Sequence, residues 1–160
     1  MTIASQTTKQ FVTPPIPVQG KLAAAWTSFM FLYIYVDYLQ LHKPGVLDNI
    51  RAGRVFEFDI SQALLTGFLA SVAVTSFMIL LSMTLPARAN RTLNLAVASL
   101  SIPYAMFNAV GESWTYFYAL SIGLEVLILA FILRTAWTWP RNGSSPAGLA
   151  SADLRQDLRQ

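Results

Sequence analysis

Cysteine is absent from all 160 residues, which removes thiol redox chemistry, disulfides, iron–sulfur ligation and thiolate-bound zinc. A single histidine, His42, excludes a site built on two histidines of one chain. Lysine occurs only at 9, 21 and 43, none deep in an apolar run, so a buried Schiff-base lysine is excluded too. Charge of either sign is scarce, at 12% of residues against about 25% in soluble domains. No phosphate-binding Gly-rich loop, G-x-S-x-G, H-E-x-x-H or calcium loop occurs. No cofactor, metal site or set of catalytic residues is therefore expected.

What the chain has instead is apolar length. Hydrophobic residues make up 54% of it, gathered into four runs at about 22–41, 63–85, 93–110 and 114–137. Each is near the ~20 residues that cross ~30 Å of hydrocarbon at 1.5 Å per residue. Pro44-Gly45, Pro86, Gly111 and Pro140 punctuate their ends. Short joints, Ala87-Arg88-Ala89-Asn90-Arg91 and Gly111-Glu112-Ser113, make neighbours antiparallel. The predicted fold is all-α: a four-transmembrane-helix bundle of antiparallel, up-down connectivity, with a short interfacial helix in the first loop. That loop, 42–62, places Val46, Leu47 and Ile50 at helical spacing. It then alternates apolar and polar over 55–60 before Ser61, a candidate N-cap.

The domain reading is an N-terminal cytoplasmic tail over 1–21, a membrane domain over 22–137 and a flexible cytoplasmic tail over 138–160. The N-terminal stretch is polar and Pro-rich, and the first run is too long for a signal-peptide core, so it reads as an uncleaved helix. The second tail ends in a tandem Asp-Leu-Arg-Gln repeat. With both termini on one side, that side holds Lys9, Lys21, Arg88, Arg91, Arg134, Arg141, Arg155 and Arg159. The other side holds Lys43, Arg51 and Arg54. The imbalance predicts both termini in the cytoplasm of a multi-pass inner-membrane protein. Trp26, Trp137 and Trp139 would then anchor the inner interface and Trp114 the outer one. The net charge of +3 forms no patch, so no nucleic-acid partner is expected.

Two acids interrupt the apolar runs. A carboxylate at a helix centre costs roughly 2.5–3.5 kcal/mol even on the translocon scale, so such residues face a protein interior or a water-filled cavity. Helix rise puts Glu125 roughly 16 Å below the outer interface and Asp37 roughly 6 Å inside it. Thr75, Ser76, Ser99 and Ser101 fall near the level of Glu125 and could hydrogen-bond it. Tyr104 and Tyr118 fall near the level of Asp37, Tyr33 lies one turn deeper on its helix face, and Asn108 is near the outer mouth. Asp37, Glu125, Tyr33, Tyr104, Tyr118 and Asn108 are the candidate ligand-binding residues, arranged as a polar track opening outward. The competing reading is that the acids merely tie helices together. Gly67 and Ser71, Ala105 and Ala109, and Ala119 and Gly123 are small-xxx-small pairs that allow close backbone approach, within the bundle or in a homo-oligomer. Pro103 frees the carbonyl of Ser99 and predicts a kink near the polar layer.

The order Lys21-Leu22, Tyr35-Val36-Asp37-Tyr38-Leu39, Pro44-Gly45, Arg88-Ala89-Asn90-Arg91 and Ala136-Trp137 resembles a bacterial family of small four-helix integral membrane proteins of unknown function. The likeness covers roughly residues 21–139. It implies the four-helix architecture and an inner-membrane setting, and no activity. From the residues, the leading expectation is binding of a small ligand, or proton-coupled transport, through the polar pocket. The alternatives are a membrane enzyme acting on a lipid-like substrate and a non-catalytic accessory subunit. The expected partners are the lipid bilayer, a small molecule or proton, and a second copy of the chain.

Overall fold

The computed structural model describes residues 15–140 apart from Ala109 and Glu112. The tandem repeat and most of both tails lie outside the described residues. The order of elements is α1 (Val18–Gln40), α2 (Val46–Arg51), β1 (Arg54–Val55), β2 (Phe58–Asp59), α3 (Gln62–Thr84), α4 (Ala87–Phe107) and α5 (Thr115–Trp137). Helices α1, α3 and α5 are each long and apolar enough to cross a membrane. Helix α4 falls outside that group because its first two turns carry Arg88, Asn90, Arg91 and Asn94.

The basic segment 87–91, read from sequence as a turn, is the first turn of α4. Pro86 supplies the extended residue ahead of it, and its carbonyl accepts from the Asn90 N–H at 2.9 Å. The helix therefore starts about six residues earlier than its apolar run, and it continues through Pro103 to Phe107. In the first loop, Ser61 caps α3 by accepting from the Leu64 N–H at 3.2 Å. Gly45 (φ 86°) and Gly53 (φ 80°) bracket α2 in the left-handed region, where a Cβ would strain the backbone. Strands β1 and β2 form a two-residue antiparallel ladder, Arg54 opposite Asp59 and Val55 opposite Phe58.

Helix α1 packs against α3 and α5, and α5 against α4, whereas α3 and α4 meet over much less of their length. Leu22, Ala25, Trp26 and Phe29 of α1 recur at helical spacing and meet Met78, Ala98, Leu129, Ile132 and Ala136 in one apolar cluster. These residues come from the first half of α1, the middle of α4 and the later turns of α3 and α5, so the core sits toward one end of the helices. Trp26 belongs to it, fully buried, and is not the interfacial anchor that its sequence position suggested. Much of the remaining surface is apolar: Leu69, Phe77, Leu100 and Leu127 are all more than half exposed. Patches of this extent on a soluble monomer would aggregate, whereas lipid solvates them.

At the core end lies a fully buried polar network. The Trp26 indole donates to Asn94 Oδ1 at 2.7 Å. Asn94 Nδ2 donates to Asn90 Oδ1 at 2.7 Å, and Asn90 Nδ2 donates to the Ser82 carbonyl at 2.6 Å. Replacing Asn94 by Ala strands the indole N–H and the Asn90 amide oxygen, at a cost of about 1–3 kcal/mol. The melting temperature of the purified protein in detergent is expected to fall by several degrees in Asn94→Ala and to stay put in Thr92→Ala, an exposed position on the same helix. Equal melting of the two variants would show that the network holds nothing.

Candidate functional site

At the other end the helices enclose a cavity of about 250 Å³. The last turns of α1 and α4 contribute Asp37, Tyr104 and Asn108, and the first half of α5 contributes Tyr118, Ser121 and Glu125. Tyr33 lies one turn deeper on α1. All six residues singled out from sequence thus line one space. Val46 and Ile50 of α2 and Val55 and Phe56 of the hairpin complete its wall. The first loop is therefore part of the site and covers its mouth. Phe56 holds φ at 52°, a left-handed conformation that costs an L-residue about 1–2 kcal/mol. That strain is spent where the hairpin turns over the cavity.

Glu125 is 5% exposed. It sits on the buried stripe of α5 that runs through Tyr118, Ser121, Glu125, Leu129, Ile132 and Ala136, so helix periodicity alone directs it inward. Two of the hydroxyls expected to serve it, those of Thr75 and Ser101, are engaged elsewhere. Thr75 donates to the Val72 carbonyl at 2.9 Å and touches the Met30 sulfur, and Ser101 donates to the Val97 carbonyl at 2.9 Å. Ser121, one turn from Glu125, donates to the Tyr118 carbonyl at 3.0 Å. No described residue hydrogen-bonds the Glu125 carboxylate. Asp37, by contrast, is exposed at the mouth. The two acids are close enough for their charges to repel, and the Tyr33 hydroxyl lies beside Tyr104 and within electrostatic reach of both. The Tyr104 hydroxyl donates to Ser71 Oγ at 3.3 Å, tying α4 to α3 across the cavity wall.

Among the described residues, no lysine, arginine or histidine lines this space. Lys43 stands at the rim, its ammonium 5.7 Å from the centre of the Tyr118 ring. His42 is exposed beside Tyr38, with Nδ1 3.2 Å from the Tyr38 carbonyl, and stays outside the cavity. Among the described residues, no group of three His, Asp or Glu side chains could hold a metal ion. The cavity is an acidic, tyrosine-edged chamber whose deepest polar group is a carboxylate with no hydrogen bond from the described residues.

A second polar group of residues, Asn90, Asn94, Ser82 and Trp26, escaped the sequence reading. The signal was present as an Asn-x-x-x-Asn spacing that puts two amides on one helix face. Of the small-xxx-small pairs, which allow close approach within the bundle or in a homo-oligomer, two contain glycines that face open space. A Cβ added at Gly67 or Gly123 meets nothing within 4 Å, so neither glycine serves a close helix contact within the chain.

A largely helical chain with three helices apolar and long enough to cross a membrane, and a polar chamber holding a buried acid, is consistent with a membrane protein. The chain belongs to DUF6326, a family of unknown function, whose profile matches residues 18–145. No curated protein and no solved structure matches it.

Because the chain lacks cysteine, single thiols report access directly. Asn108→Cys at the cavity is expected to react with a charged maleimide far faster than Ser82→Cys in the buried network. Comparable rates in purified protein would mean that the chamber is closed to water.

Proposed function

We propose that the protein is a four-helix, up-and-down membrane bundle that binds a small cation in the acidic chamber, in exchange for a proton on Glu125. The observation that carries this reading is Glu125 itself: buried, lining a cavity, and without a hydrogen bond from any described residue. A carboxylate in that position is held near neutral charge only by a proton or by a cation, and the chamber has room for a cation. Asp37 at the mouth adds attraction for positive charge, and the tyrosine rings offer faces that favour an ammonium group. An anion would meet repulsion from two acids. Tight packing at one end with an open chamber at the other suits one state of a carrier.

The same reading orients both termini to the cytoplasm, with the chamber facing outward across the inner membrane, as the Lys and Arg imbalance favours. An Asn108→Cys thiol would then label in intact cells with a membrane-impermeant reagent, and labelling only after permeabilisation would reverse the orientation. The open faces around Gly67 and Gly123 leave room for a second copy of the chain, and homo-oligomerisation is part of the proposal.

Tetramethylammonium is a fitting probe. Calorimetric titration of the protein in nanodiscs is expected to give at least about tenfold weaker binding in Glu125→Gln, equivalent to about 1.4 kcal/mol. Asp37→Asn, at the hydrated mouth, is expected to lose less. Proteoliposomes carrying Glu125→Gln should move no protons in response to a cation gradient. Undiminished binding and flux in that variant would remove the proposal.

A further inference from the structure

A second cavity, of about 230 Å³, lies directly behind the first and shares the Tyr33, Ser71, Val72 and Tyr104 walls with it. Its chemistry differs. Phe29, Val74, Val97 and Leu100 supply its surface, and it contains no ionisable group besides the two shared tyrosines. Thr75 and Ser101 also line it, but both hydroxyls are turned back onto carbonyls of their own helices, which leaves a space suited to hydrocarbon.

The position of this cavity is as informative as its lining. It lies along the α3–α4 seam, where the two helices meet least. Val74 is 52% exposed and Leu100 71% exposed, so the cavity opens sideways through the flank of the protein. In a membrane that flank faces acyl chains. A molecule dissolved in the bilayer could pass between α3 and α4 without first entering water. The Tyr104–Ser71 hydrogen bond stands at the boundary, with apolar walls on one side and the two acids on the other.

We propose that the second cavity receives the hydrocarbon tail of a membrane-dissolved cationic amphiphile, whose ammonium head lies with Asp37 and Glu125 in the first. This deepens the cation-binding reading and rests on it. The ligand class is then a single-chain alkylammonium, with head and tail separated at the tyrosine layer. A fully water-soluble cation would use only the first cavity and leave the second idle. A neutral lipid would gain nothing from the acids.

The test is photolabelling in nanodiscs with an octyltrimethylammonium that carries a diazirine at the tail end, with labelled residues located by mass spectrometry. Calorimetry with tetramethylammonium runs in parallel. The expected result is label on residues 71–75 and 97–101, reduced about tenfold or more by excess tetramethylammonium, and lost in Glu125→Gln. Filling the cavity with Ser101→Phe should move the label off α4. Label confined to residues 46–56 at the chamber mouth, still displaced by tetramethylammonium, would overturn the tail cavity and leave the cation site standing. Label spread over Leu69 and Leu127, indifferent to tetramethylammonium, would overturn the tail cavity. If calorimetry also showed no tetramethylammonium binding, the cation site would fall with it.

Discussion

The structure depends on how two helix ends are closed. In α3 the carbonyl of Ser82 would take its helical hydrogen bond from residue 86, and residue 86 is proline, which has no N–H to give. Asn90 supplies the missing donor. In α5 residue 140 is also proline, and the Ala136 carbonyl accepts instead from the Trp139 N–H at a long 3.4 Å. Here Arg91 Nε donates at 3.2 Å, and its guanidinium stacks against Trp137. One turn of α4 therefore satisfies the C-termini of both neighbouring helices. A positive charge there also complements the α5 dipole. A buried carbonyl short of donors is costly, so this clamp fixes where three helices meet.

The clamp explains the asymmetry of the molecule. Around it Asn94, Trp26 and the apolar cluster pack one end shut. At the far end the Tyr104–Ser71 hydrogen bond joins α4 to α3, and the helices leave two cavities that share a wall. An open chamber is tolerable in a small chain because the closed end carries the packing. The chamber then places one carboxylate, Glu125, where no hydroxyl of the described residues hydrogen-bonds it. Burial without a partner is a cost that the fold retains, and such costs collect where a protein meets its ligand.

Much of this was legible in the sequence. Apolar length and Pro/Gly punctuation give the long helices, and a rise of 1.5 Å per residue suffices to group Asp37, Tyr104 and Tyr118 at one level, with Asn108 nearer the mouth. Four features were not. The start of α4 looks like a loop because Arg88, Asn90 and Arg91 are polar, and only the carbonyls they serve, distant in sequence, explain their place in a helix. Trp26 sits where an interfacial anchor belongs, and its burial follows from a hydrogen bond 68 residues away along the chain. Hydroxyls at the depth of Glu125 were countable, but whether they turn toward it depends on helix rotation and on competing carbonyls. The sideways cavity was invisible for the same reason, since it arises from how little α3 and α4 touch.

The most direct measurement is modification of the chain by dicyclohexylcarbodiimide, an apolar reagent that attacks carboxyl groups in their acid form within membranes. If Glu125 is the proton-exchanging group of a cation chamber, the reagent should modify Glu125 and tetramethylammonium should protect it. Peptide mapping that finds Glu125 unmodified, or modified to the same extent with and without the cation, would contradict the account.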